Sequence, residues 1–299
     1  MDKTSDRFIL IGHPVGHSVS PTIHQKAYEE LGRAGHYELC DCPDESAVRA
    51  QVDSIRRGDL TGANVTVPWK RVAYEEADEL HSSARDVGVA NVLARGKEGQ
   101  VVAYNTDALA LAEELRELTL TAKIPVDQTT TAVILGAGGA ALAAAVGLRL
   151  LGVRQIFVSA RRFDPSVPSA EWPGAQEFAR LSVTLLPWPG FDSGEFKRIF
   201  GQTQLIVQAS SAGMLGVGGG SELVDVLAWA ALPSGGAAYD LVYNPPQTPF
   251  LERAKQQGLT TRGGLGMLVG QAAQAIRIWW GEQPELEPLM RAAQEKLDL

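Results

Sequence analysis

The 299-residue chain has only two cysteines, Cys40 and Cys42, too few for a disulfide framework. They stand as C-x-C in a segment that reads as extended. There we expect their side chains on opposite faces, as two structural thiols in a reducing compartment, with neither a mutual disulfide nor a closed zinc site. Positive charge is not in excess either. Against 35 Asp and Glu there are 27 Lys and Arg, a net charge of −8. That excludes nucleic acid as a partner, because a phosphate backbone demands a basic stripe. The N-terminus, Met-Asp-Lys-Thr-Ser-Asp-Arg, lacks the charged-then-apolar layout of a signal peptide. One long uncharged run exists, Ala132–Leu148, about 17 residues and at the lower limit for crossing a bilayer. Its clustered Gly136, Gly138 and Gly139 mark a turn and not a membrane helix. The expectation is a cytoplasmic protein with no metal site and no membrane or nucleic-acid partner.

What is present is alternation. Short apolar runs at Phe8–Gly12, His36–Cys42 and Gly62–Val67 read as strands, and Thr22–Leu31, Ser46–Arg57 and Arg71–Leu80 read as helices. Ala90–Ala94 with Val101–Ala103 reads as a hairpin, and Asp107–Leu118 as a helix. The polar stretch Thr119–Thr131 reads as a connection, after which the pattern restarts. Strands follow at Thr131–Leu135, Gln155–Ser159, Ser182–Leu186, Leu205–Ala209 and Ala237–Leu241, with helices at Ala141–Leu151 and Leu265–Trp280. Pro165–Gly174 and Gly213–Gly220 read as loops. Such alternation predicts right-handed βαβ units and an α/β fold, and the length suits two domains.

Gly136-Ala137-Gly138-Gly139-Ala140-Ala141 is a G-x-G-x-x-A that follows a strand and opens a helix. Gly136 permits the tight turn, Gly138 lets the backbone approach a pyrophosphate, and Ala141 allows close packing of helix on strand. The helix start then offers N–H groups and its dipole to phosphate. The end of the next strand selects the dinucleotide. An NAD protein places Asp or Glu there for the ribose, whereas this chain has Ser159-Ala160-Arg161-Arg162. Two guanidiniums suit a 2′-phosphate, so NADP is the expected cofactor.

The N-terminal half holds a second constellation. In His17-Ser18-Val19-Ser20-Pro21, the two serines of an extended segment present hydroxyls on one side, ahead of a helix. Ser20 before Pro21 is also an ordinary helix N-cap, and a capped helix start is a place for a carboxylate. Asn64-Val65-Thr66-Val67-Pro68-Trp69-Lys70 ends a strand and delivers one lysine. Taken alone, that lysine reads as solvated. It has company, because Asn91 is read as closing a strand and Tyr104-Asn105-Thr106-Asp107 closes another, and strand ends of α/β sheets collect ligand groups. A pocket of Ser, Asn, Thr, Lys and Asp suits a small polyhydroxylated anion.

The blocks G-H-P-V-G-H-S-V-S-P, N-V-T-V-P-W-K, Y-N-T-D, G-A-G-G-A-A, Y-D-L-V-Y-N-P-P-Q-T-P-F and G-L-G-M-L-V-G-Q-A-A-Q-A-I-R-I-W-W-G lie in this order from residue 12 to 281. Together they resemble the signature blocks of the shikimate dehydrogenase family. The resemblance implies an N-terminal substrate-binding α/β domain completed by C-terminal helices (1–107 with 264–299) and an inserted Rossmann-type NADP domain (108–263). It implies Lys70 and Asp107 as the catalytic pair, with lysine as proton donor. Ser18, Ser20, Thr66, Asn91, Tyr243 and Gln271 become substrate contacts. Gly136, Gly138, Gly139, Ala140, Arg161, Arg162 and Gly264 become cofactor contacts. The implied reaction is NADP-dependent interconversion of 3-dehydroshikimate and shikimate in aromatic amino acid biosynthesis, by a monomer or homodimer. Relatives that use quinate or aminoshikimate, and a non-catalytic metabolite sensor on the same scaffold, are the alternatives. Departures from the family pattern are local. Gln208 and Gln25 stand where the family usually has Asn, Ala108 where it often has Gly, and Val92 where it has Thr.

Overall fold

The computed structural model describes residues 5–188 and 194–297. Contacts divide the chain into two units. One holds the residues up to Asp107 and those from Leu268 onward, and the other runs from Ala108 to Met267. The return to the first unit therefore falls inside a helix, shortly after the residue-264 boundary read from the sequence.

The first unit begins β1 (Asp6–Gly12), α1 (Ser20–Glu30), β2 (Gly35–Asp41), α2 (Glu45–Arg57) and β3 (Gly62–Val65). It continues α3 (Lys70–Glu76), β4 (Glu79–Leu80), α4 (Ser82–Val87), β5 (Val92–Arg95) and β6 (Val101–Tyr104). The sheet order is β2-β1-β3-β5-β6-β4. β1, β2 and β3 run parallel, while β5 runs antiparallel to both β3 and β6. That reversal puts the start of β5 beside the ends of β3 and β6, on the same edge as the end of β1, so four segments meet at one edge. Local chemistry sets the helices. α2 starts where the Asp44 carboxylate accepts from Ala47 N–H, buries Val48, Val52 and Ile55, and stops at left-handed Gly58.

Two features differ from the sequence reading. α3 ends at Glu76, and the chain then turns into the short edge strand β4 where a helix to Leu80 was expected. Cys40 and Cys42 do not face apart. Alternate residues of extended chain share a face, and the two sulfurs lie 3.7 Å from each other.

The second unit opens with α5 (Asp107–Ala122), which runs on into the stretch read as a connection. Then come β7 (Thr131–Leu135), α6 (Gly139–Leu150), β8 (Gln155–Ser159), α7 (Ala175–Arg180), β9 (Thr184–Leu186) and α8 (Gly194–Phe200). β10 (Leu205–Gln208), α9 (Gly220–Val226), β11 (Ala237–Asp240), α10 (Pro249–Gln256) and β12 (Thr260–Gly263) complete it. All six strands are parallel in the order β12-β11-β10-β7-β8-β9. This is the doubly wound order whose reversal point lies between β7 and β10. β7 is buried along its whole length, as a central parallel strand covered on both faces must be. The uncharged run Ala132–Leu148 thus divides into a strand, a turn and a helix. Among the described residues no helix is long and apolar enough to cross a membrane.

α11 (Leu265–Trp280) and α12 (Leu286–Lys296) close the chain. The end of α11 is fixed to the first sheet. Trp279 stacks on Phe8 at 4.3 Å and donates its indole N–H to the Leu93 carbonyl at 3.1 Å. Trp280 donates to the Asp6 carboxylate at 2.8 Å. A C-terminal helix is thereby part of the N-terminal core.

Candidate active site

The edge where β1, β3, β5 and β6 meet holds the first unit's chemistry. Lys70 opens α3, and its Nζ lies 2.6 Å from Asp107 Oδ2, with the two side chains 16% and 6% exposed. The other carboxylate oxygen of Asp107 accepts from the Asn91 amide at 2.8 Å. Asn91 does not close a strand; it immediately precedes β5, and strand reversal brings it to this edge. Its amide nitrogen also reaches Thr106 Oγ1 at 2.9 Å and Gln271 Oε1 at 3.4 Å, and its oxygen accepts from Thr106 N–H at 2.8 Å. Thr106 Oγ1 donates in turn to the Gln271 carbonyl at 3.1 Å. Lys70, Asn91, Asp107 and Gln271, read separately from the sequence, therefore form one network, with Thr106 as the added member. Charged and polar groups at this depth persist only when paired this fully.

The serines form a second group. Ser18 Oγ donates to Ser20 Oγ at 3.0 Å. Ser20 is not the helix cap. The cap position is Val19, no side chain caps the helix, and Ser20 is its first residue. Beneath Ser20 lies Tyr37, which bonds the serine hydroxyl and donates to Asn64 Oδ1 at 2.8 Å. Burial pushes the Tyr37 phenol well up, so it stays a neutral donor. His24 stacks on Tyr37 at 3.9 Å and is pushed down to about 3 by burial, hence neutral as well. Tyr37 and Asn64 were missed as site residues. Only their side-chain bonds mark them, and spacing does not. Thr66 follows β3, its N–H bonded to the Ile11 carbonyl at 2.8 Å.

In the second unit the glycine turn joins β7 to α6. Gly136 has φ +117, and a Cβ there would meet the Ala209 and Ser210 backbone at 3.0 Å, so only glycine fits. At Gly138, the residue before α6, a Cβ would project into open space, which leaves a cradle before the helix start. Beside it lies a cavity of ≈ 110 Å³ lined by Gly136, Ala160, Arg161, Ser210, Ala212 and Gly219, among others. Arg161 faces this cavity, whereas Arg162 donates to the Ala137 carbonyl of the turn. The two arginines therefore do different things: one is available to a ligand and the other braces the loop. Helix start, open cradle and a cavity arginine together fit a phosphorylated dinucleotide.

Gly264 packs where a Cβ would strike the Leu241 carbonyl. Tyr243 lies in the loop after β11, and burial pushes its phenol up. That loop is stapled by Asp240, which accepts from Thr248 Oγ1 at 2.6 Å and from Val242 N–H at 3.0 Å. Burial pushes the Asp240 carboxyl up to about 7. Among the described residues no group of three or more His, Cys, Asp or Glu side chains is arranged to hold a metal ion.

Known proteins resemble this chain over most of its length. Residues 10–93 match the shikimate dehydrogenase substrate binding domain. The NADP(+) shikimate dehydrogenase of Caldicellulosiruptor saccharolyticus is 34% identical over 276 residues, 92% of each chain. Among solved structures, the shikimate 5-dehydrogenase of Thermus thermophilus in complex with NADP(H) and shikimate superposes with TM-score 0.78. It is 32% identical, with 98% of this chain and 100% of that one covered. A 5-ketofructose reductase of a Gluconobacter strain shares the fold at TM-score 0.75 and 25% identity, covering 98% and 99%. The chain belongs to the shikimate dehydrogenase family.

Proposed function

We propose that this chain is an NADP-dependent shikimate dehydrogenase, interconverting 3-dehydroshikimate and shikimate. The observation that carries the reading is the Lys70–Asp107 pair at 2.6 Å, locked to Asn91 at the sheet edge. A metabolite sensor needs affinity but no proton donor, so the pair favours an enzyme. Bound NADP supplies the two-electron exchange at the substrate carbon. As charge develops on the ketone oxygen, the Lys70 ammonium hydrogen-bonds it and passes its proton to it. Asp107 holds Nζ through Oδ2, and its other oxygen is tied to Asn91, so the carboxylate cannot turn away from the lysine. Ser18 and Ser20 bind the substrate carboxylate, and Thr66, Asn91, Tyr243 and Gln271 its hydroxyls. Gly138, Gly139 and Ala140 take the pyrophosphate at the start of α6, and Arg161 takes the 2′-phosphate while Arg162 braces the loop. Gly264 serves the same site by allowing its loop to pack against Leu241. The domains are 1–107 with the C-terminal helices for substrate and the intervening chain for cofactor. A cytoplasmic setting goes with the reading and is supported by two free thiols.

The test is a panel followed by nicotinamide absorbance, with shikimate, quinate and 5-ketofructose against both NADP and NAD couples. The reading expects the highest kcat/KM for shikimate with NADP. Preference for quinate or 5-ketofructose, or for NAD, contradicts it.

A further inference from the structure

We propose that Cys40 and Cys42 are a peroxide-responsive dithiol, joined by hydrogen peroxide into a disulfide that reversibly disables the adjoining Lys70 site. These are the chain's only cysteines, both are free, and their sulfurs are in contact at 3.7 Å. Cys40 is partly accessible at the end of β2, whereas Cys42 is 1% exposed. An accessible thiol beside a second, sheltered one is the arrangement that oxidation to a reversible disulfide requires. Burial, with Cys40 as neighbour, pushes the Cys42 thiol up to about 12, so Cys42 waits as the protonated partner.

What makes the pair consequential is the backbone of Cys42. Its N–H donates to the Gly12 carbonyl at 2.9 Å, and its carbonyl accepts the Trp69 indole N–H at 2.8 Å. Trp69 is the residue before α3, and Lys70 is the first residue of that helix. Cys42 is thus tied by one bond to the end of β1 and by another to the residue that carries Lys70.

The chemistry balances with peroxide as the oxidant. The Cys40 sulfur, as thiolate, attacks one peroxide oxygen; the O–O bond breaks, leaving a sulfenic acid and hydroxide, which takes up the thiol proton as water. The Cys42 sulfur then attacks the Cys40 sulfur. The S–O bond breaks, and the departing hydroxide leaves as a second water with the Cys42 proton. Two thiols lose two electrons and the peroxide gains them. Closing the gap from 3.7 Å to a bond of about 2.05 Å pulls the two residues together and strains the hydrogen bond that holds the Cys42 carbonyl to Trp69. The Cys40 end of the bond is partly accessible, and accessible disulfides are the readily reduced ones, so thiol reductants reverse the change.

The loss of activity rests on the Lys70 reading above; formation of the bond does not. The experiment treats the reduced full-length chain with hydrogen peroxide and reads intact mass, non-reducing electrophoresis and shikimate oxidation in parallel. We expect loss of two hydrogens per chain, migration as an uncrosslinked monomer, and activity lower by about 10- to 100-fold, the effect of a displacement of roughly 1 Å at a reacting group. Dithiothreitol restores both mass and activity. Cys40→Ser keeps its activity in peroxide, and Cys42→Ala stops at a Cys40 sulfenic acid that dimedone captures. Retained hydrogens, or a disulfide only between chains, overturns the proposal at the bond. A disulfide formed with full activity overturns its regulatory half. A chain whose Lys70 proves dispensable still reports the bond by mass, which separates this failure from that of the functional reading.

Discussion

The carboxyl edges of the two sheets handle polar groups in opposite ways. At the first, buried side chains bond one another: Asn91, Thr106 and Asp107 are each no more than 5% exposed, and all belong to the network around Lys70. At the second, the buried side chains serve their own loops. Gln208 donates to the Ser210 and Ala212 carbonyls and accepts from Ser210 N–H, and Asp240 staples the turn after β11. The cavity at that edge is lined by glycine and alanine, by the apolar Leu135, Trp188, Leu223 and Val226, and by Ser210, Arg161 and Glu222, with no buried side-chain network among them. Under the proposed function, this difference assigns each edge its task. A preset side-chain network fixes the protonation and direction of a reacting group, whereas exposed backbone and a helix start hold phosphates without taking part in bond-making.

Substitutions at the two edges should therefore fail differently. The largest effect is expected at Lys70. Lys70→Ala should lower kcat by about 10²–10⁴-fold, the usual share of general acid–base catalysis, with a much smaller change in substrate KM. Steady-state kinetics and calorimetric NADP binding on the same protein check this, and NADP affinity should not move. Near-normal kcat would return Lys70 to a bystander and erase the contrast between the edges. A smaller effect is expected at Arg161. Losing one charge-assisted bond of roughly 1.5–3 kcal/mol should weaken NADP by about 10- to 150-fold and leave NAD nearly unchanged. Unaltered discrimination between the two nucleotides would remove the arginine from the 2′-phosphate.

How far the sequence anticipated this follows from the range of each signal. The glycine turn was legible because its parts are contiguous: a buried strand, fixed glycines and a helix start. Lys70, Asn91 and Asp107 were legible at the ends of elements and Gln271 through the family resemblance alone, but their network was not, since Gln271 is 180 positions from Asn91. The antiparallel β5 hid the way Asn91 reaches the edge. Tyr37 and Asn64 sit on strands where burial is expected of any residue, and only the bonds between them reveal a polar layer under Ser20. The short helices α4, α7, α8 and α9, of six or seven residues, are too brief for hydrophobic periodicity to register. Helix α10 carried a readable start, with Thr248 as cap and Pro249 at its first position, and was overlooked. The cysteines were misplaced through strand geometry, where alternate side chains share a face.

In the proposed enzyme, proton handling and nucleotide selection are separate tasks of separate residues. A double-mutant cycle in kcat/KM for NADP, using Lys70→Ala, Arg161→Ala and the double variant, tests it most directly. Independent roles predict that the two losses add to within about 0.3–0.5 kcal/mol. An interaction energy above roughly 1 kcal/mol of either sign would contradict the account, because residues with no shared task or partner do not couple that strongly.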